Sequence, residues 1–421
     1  MSQSSRPRLR RIDSFPISQP NGEIVFALRD PEGFSGSIVL PYAAAAALSL
    51  VDGTRTLPEI QADYRRRFSQ DLDPEALEQL LHDLDDRLYL DTPRFRAQWK
   101  QAVEKYLNGP SRSAAHAGSA YAADAGALRQ QLESLFVGVK GPGAPAEPPD
   151  ASSGLRGVLS PHIDLQRGGT ALASAYKRLI EQSDAELFVI FGTAHSPLGN
   201  LFSVSKKHFE TPLGTVETDR AFIGKLSHNL AAEPGGKLLN PYADELAHRQ
   251  EHSLEFQVLF LQYLLAGRRP FKVVPVLAGS FHEFVASRKS PAESPAVQAF
   301  IAAMQKTAGQ YPARIAYISA GDLAHIGQRF GDREFLNAAR LKRQSEHDHE
   351  LLAAACRADA DAFFHHVAAQ DDRHRVCGLS PTYTMLQVMR PSRGELLTYD
   401  QAVELDGTAC VSFASLAFYD R

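Results

Sequence analysis

Leu187-Phe188-Val189-Ile190-Phe191, followed by Gly192-Thr193-Ala194-His195-Ser196, is the stretch on which the fold turns. A strand with one wet face alternates apolar and polar residues, and these five do not. A continuous apolar run of this length reads as a strand covered on both faces, as in a sheet with helices on either side. Outward from it the same grammar repeats. Residues 157–160 read as a strand and 169–182 as a helix, with a short strand at 201–204. A long apolar helix at 252–266 precedes the buried strand 272–277. A helix at 294–310 leads into strand 314–319, followed by helices near 333–357, 358–369 and 380–390. Residues 409–418 alternate like a closing strand. Such alternation predicts an α/β domain with a three-layer, mostly parallel sheet.

The first hundred residues have a different texture. Residues 24–30 alternate weakly, as a short strand would. Residues 41–51 are an Ala-rich helix opened by Pro41, and Thr56 caps the next helix, which runs to about Phe68. A third helix follows Asp73-Pro74, with Leu77, Leu80, Leu81, Leu84 and Leu88 at near-helical spacing, and Tyr89-Leu90 reads as a closing strand. This describes a small winged-helix module over 1–95, then a linking helix within 96–114 and the α/β domain over 115–421. Residues 138–154 are rich in proline and glycine and read as an exposed loop.

Composition narrows the function. A 421-residue chain with 44% hydrophobic residues has enough apolar mass for a real core, and a formal net charge of −4 gives no reason to expect a nucleic-acid partner. The basic start, with Arg6, Arg8, Arg10 and Arg11, has no apolar segment after it, so it reads as a tail and not as a secretory signal. No apolar run reaches the ~18 residues of a spanning helix, and the expected location is cytoplasmic. Three scattered cysteines make no disulfide framework or zinc ribbon. Cys356 in an Ala-rich helix and Cys410 in an apolar strand read as core.

In open α/β sheets ligands bind past the carboxyl ends of the strands. Pro161-His162-Ile163-Asp164 follows the first strand, His195 the second, and Gly321-Asp322-Leu323-Ala324-His325 the strand 314–319. Val376-Cys377-Gly378 lies just before a helix whose positive end would favour a thiolate. In HRQEHSLEFQ (248–257), the spacing lets His248, His252 and Glu255 share one helix face, with Glu251 turned elsewhere. His347, His349, His365, His366 and His374 sit in charged helical surroundings and read as solvated. Neutral imidazoles beside an anionic ligand suit a redox-capable divalent metal, and a thiolate softens such a site toward copper, iron or zinc.

The same residues carry a resemblance. SPHIDLQRGG, FGTAHSPLG, HFETPLGTVETD, EHSLEFQVLFLQYL, FKVVPVLAGS, SAGDLAHIGQRFG and CGLSPTYTML occur in the order seen in the Memo family, preceded by AHAGSAYAADAGALRQQL. The resemblance implies a protein of the AmmeMemoRadiSam system B type, similar in fold to class III (LigB-type) extradiol dioxygenases. It places His162, His195 and Cys377 as metal ligands, the cysteine standing where those dioxygenases have a carboxylate, and puts His252, Asp322 and His325 around the pocket as candidate catalytic groups. It implies iron, with copper or zinc as alternatives, and radical-SAM and AMMECR1-type partner proteins. LVDGTRTLPEIQADYRRRF and DPEALEQLLHDLDDRLYLD resemble PqqD-like domains, which implies a bound peptide. The expected activity is a metal-dependent oxidoreductase acting on a small or peptide substrate. The competing expectations are a non-catalytic peptide-binding module with a structural or vestigial metal pocket, and metal-dependent hydrolysis.

Overall fold

The structure, a computed structural model, describes residues 5–19, 21–146, 149 and 151–420. Part of the expected loop 138–154 (147, 148 and 150) lies outside the described residues. The chain divides into two compact units, one ending at Asn108 and the other beginning at Gly109.

The first unit starts with a three-stranded antiparallel sheet, Asp13–Ser18, Ile24–Arg29 and Ile38–Pro41 in that order. Helices Tyr42–Leu48, Leu57–Phe68, Pro74–Asp86 and Pro93–Asn108 follow. Thr56 and Glu59 form a reciprocal capping box at the second helix, and Asp73 accepts from Glu75 N at the third. Their inward leucines and Ile60 and Tyr64 close a small core with Ala47, Leu50 and Leu90. The expected strand at Tyr89-Leu90 is only a single bridge between Leu90 and Leu9. Nor is the basic start wholly a solvated tail. Arg10 is buried against Asp30, 2.5 Å away, and donates to Leu88 O.

The second unit is built on a mixed sheet. Four parallel strands form its centre in the order Leu155–Ser160, Ile315–Ala320, Leu187–Thr193 and Lys272–Ala278. Phe202–Val204 adds antiparallel at one side, and Cys410–Tyr419 at the other, where it also pairs with Arg393–Val403 and with His325–Ile326. Strand 187–193 is buried at every position. Its residues alternate between two cores: Val189 and Phe191 join one, Phe188 and Ile190 the other. Helices Leu165–Gln182 and His252–Leu265 supply the second core, and Pro295–Gly309, Ala360–Ala368 and Leu379–Met389 the first. This is why the run has no polar face.

Helix Arg220–Ala232 is not among the expected elements, although Phe222, Ile223, Leu226, Asn229 and Leu230 bury one face at helical spacing. Strand Arg393–Val403 is intermediate along most of its length and shows no clean period. Among the described residues no helix is long and apolar enough to cross a membrane.

Candidate metal centre

The carboxyl ends of the central strands converge. His162 lies two residues past Ser160, His195 two past Thr193 and Asp322 two past Ala320, while Cys377 precedes helix Leu379–Met389. Two sets of ligand atoms gather there, each within 4.8 Å: His162, His195 and His252, and His162, Asp322 and Cys377. His162 belongs to both, and the expected partners His195 and Cys377 belong to different ones.

His162 is the hinge of the site. Its Nδ1 lies 3.0 Å from Ala320 O, a group that only accepts, so Nδ1 carries the proton and Nε2 keeps its lone pair. That Nε2 stands 3.3 Å from Cys377 Sγ and 3.7 Å from Asp322 Oδ2. Burial, and then the charge of His195, push the imidazole down to about 3, so it is neutral at ordinary pH. Asp322 fixes the loop that carries it, its Oδ1 accepting from His162 N (2.9 Å) and Ile163 N (3.2 Å). Burial raises the Asp322 carboxyl.

His195 is held differently. Its Nδ1 donates to Glu251 Oε1 (2.8 Å), and its backbone N to Oε2 (2.8 Å), which again leaves Nε2 free. Burial opposes the charge on both partners. Even so, the attraction between them holds His195 above its usual value and Glu251 well below the carboxylate range. The His252 ring stacks on His195 with centroids 4.4 Å apart, and burial keeps it neutral. The His195 side chain is 41% exposed and that of His162 only 2%, so the pocket opens on the His195 side.

Glu251 is the residue sequence reasoning missed. Helical periodicity turns it away from His252, but the helix begins at His252 and Glu251 is its N-cap, with extended backbone and a side chain accepting from Ser253 N. An acid directly before a helix start is the signal that could have found it. The expected face of His248, His252 and Glu255 does not form. His248 is buried in a separate turn against Ser203 Oγ (3.0 Å), and Glu255 pairs with Arg112 (2.6 Å) and accepts from Tyr121 OH. Arg112 also donates to the carbonyls of His248 (2.6 Å) and Glu251 (2.8 Å), so one buried guanidinium fixes the chain on both sides of the N-cap.

Cys377 sits on a tightly packed loop. A Cβ at Gly378 would stand 2.6 Å from Asp322 O, so only glycine lets this loop close on the strand end. The expected thiolate is not favoured by the helix: burial, and then the Asp322 charge, push the thiol well up. A cation bound there would be what deprotonates it. His325 lies beside the pocket on its short strand, Nδ1 facing Leu323 O (3.2 Å) and Arg375 O (3.1 Å), close enough to Asp322 for each to feel the other's charge.

The donors suit a metal. Zn–N and Zn–S bonds of ordinary length at a tetrahedral angle set nitrogen and sulfur about 3.5 Å apart, close to the 3.3 Å between His162 and Cys377. His162 Nε2 is unprotonated, and the Nδ1 atoms of His162 and His195 are both anchored, as metal-binding imidazoles require. A cation at His195 Nε2 would displace the proton that Glu251 favours there.

Comparison with known proteins agrees on the ancestry of this unit. Residues 112–417 match the family model described as Memo-like protein. A MEMO1 family protein of Aquifex aeolicus is 26% identical over 98% of this chain and 100% of its own length, so the first unit has a counterpart there too. MEMO1 family proteins of Methanopyrus kandleri and Methanosarcina barkeri are 29% and 27% identical; each is matched over 98% of its own length, on 73% and 72% of this chain. The chain belongs to the Memo-like family.

Proposed function

We propose that the chain is a metal-dependent oxidoreductase whose ion is held by His162, His195 and Cys377, with iron preferred and copper or zinc as alternatives. The observation that carries the reading is the pair of fixed tautomers. Ala320 O and the Glu251 carboxylate each accept a hydrogen bond from an Nδ1–H, turning two Nε2 atoms to one pocket, that of His162 beside a thiol. Two imidazoles and one anionic sulfur leave coordination positions open, which is what a substrate-binding site needs and a closed structural site lacks. When bound, such an ion supplies Lewis acidity and one-electron chemistry at the pocket mouth. The resemblance in sequence motifs to a family similar in fold to class III dioxygenases supports a redox role over hydrolysis.

The chain's own residues would do the rest. Burial at His162 excludes water from one side, while the open side at His195 and His252 admits a small or peptide substrate. His252, held 3.6 Å from Glu251, is placed to accept or return a substrate proton without leaving its stack on His195. Asp322 keeps the loop that carries His162 in place, and the charge of His325 beside it favours its carboxylate form.

The test is metal analysis of chain purified without added metal, with oxygen consumption followed under air. The expected result is one bound ion in the unmutated protein and loss of most of it in Cys377→Ser. Unchanged metal content in that variant would sink the ligand set, and turnover that is the same without oxygen would favour hydrolysis.

A further inference from the structure

Three histidines outside the centre are not the solvated side chains their charged surroundings imply. His347 on helix Ala338–Cys356, His366 on helix Ala360–Ala368 and His374 in the loop after it come together. The His347 ring lies 4.3 Å, centroid to centroid, from both His366 and His374. Two of their nitrogens, His347 Nδ1 and His366 Nε2, are buried with no hydrogen-bond partner. Buried polar atoms in that condition are rare and ask for an explanation.

The hydrogen-bond chain around them settles what one of these nitrogens is. Arg373 Nε, which can only donate, points at His374 Nε2 (3.0 Å). That nitrogen is therefore the lone pair, and His374 Nδ1 carries the proton and gives it to Gln344 Oε1 (2.5 Å). Gln344 is turned this way because its Nε2 donates to Asp348 (2.9 Å). Gln370 lies against both rings, its Oε1 3.1 Å from His374 Nε2 and its Nε2 in contact with His347 Nε2, a placement that sets an oxygen against the His374 lone pair. The two amide atoms exchange by a flip, and the His374 lone pair selects the orientation that offers it N–H. The Gln370 oxygen then faces His347 Nε2, which must be the protonated nitrogen of its ring. His347 Nδ1 is left as a bare lone pair beside the unpartnered Nε2 of His366. Burial keeps His347 and His374 neutral, each down at about 4.

We propose that His347 Nδ1 and His366 Nε2 form a second metal site, separate from the first, for a divalent ion of the zinc or copper class. Imidazole is the ligand type these ions share, and neutral nitrogens with no anion favour them over calcium or magnesium. The two nitrogens are buried but both side chains are partly exposed, so solvent would complete the coordination once the rings part. The ring centroids of two imidazoles on one tetrahedral ion stand about 5 Å apart, against 4.3 Å here, so binding would part the rings by about an ångström.

Equilibrium dialysis of the full chain against zinc(II) alone tests the site. Unmutated protein is expected to hold one zinc equivalent more than His366→Asn and one more than His347→Gln, whereas His365→Asn, on the exposed side of the same helix, keeps the full count. Equal counts in all four chains, or loss of the extra equivalent in His365→Asn, overturn the proposal. If the variants fold poorly, the unmutated chain labelled with nitrogen-15 histidine decides. Zinc should move the resonances of His347 Nδ1 and His366 Nε2, and a titration that leaves both in place overturns the site.

Discussion

Two histidine trios in the second unit are built in opposite ways. His162 and His195 stand at strand ends and His252 at a helix start, and the nitrogens of the first two that face away from the pocket meet a backbone carbonyl and a buried carboxylate. His347, His366 and His374 lie among helices, where amides and an arginine set the protonation pattern. A carboxylate behind an imidazole raises its basicity and favours a tightly held cation, while an amide only fixes the tautomer. The comparison teaches that the group behind a histidine, more than the histidine, decides what its free nitrogen is for.

The comparison breaks most severely at Arg112. Arg112→Met leaves Glu255 buried without its partner and frees the carbonyls of His248 and Glu251. Removing one member of a buried ion pair costs about 3–5 kcal/mol, readable as a lower urea midpoint. Variant that still folds is expected to lose metal from the first trio and keep it at the second. Equal loss from both would show that the two trios are not held independently.

A gentler break is Glu251→Gln, which keeps the shape of the side chain and removes its charge. Loss of an anchoring carboxylate behind a ligand weakens metal binding by ~10–100-fold, measured by competition with a chelator. Affinity unchanged within twofold or so would remove the carboxylate from the account of His195.

The smallest effect is a pH dependence from the second trio. His347 and His374 are held at about 4 in the folded chain, below the ordinary histidine value of 6.5. Unfolding therefore takes up protons between those values. The stability they contribute is fully present above pH 6.5 and is lost as the pH falls toward 4. Both rings are partly exposed, so solvent screening makes the effect modest. His347→Gln should flatten that part of the stability profile in the absence of metal, and an identical slope in both chains would contradict the assignment.

Much of this was open to reading along the chain. The continuous apolar run 187–191 marked a strand covered on both faces, and the rule that ligands gather at carboxyl ends picked out His162, His195 and Asp322 from one strand end each. Strand Arg393–Val403 escaped because half-buried residues on both faces leave no period to detect. His347 escaped because its neighbours along the helix are charged, and His366 because it stands beside an exposed histidine in a short helix whose contacts with His347 come from another part of the chain.

The sequence by itself determined the central parallel strands and the polar residues just beyond them, because strand burial and strand ends are local patterns. Only the tertiary structure decided which nitrogen of each histidine is free. That depends on Ala320 O, on Glu251 turned inward as a helix cap, and on Arg112 reaching across from the start of the unit. None of these partners stands at a helical or strand spacing from the histidine it governs, so no periodicity announces it.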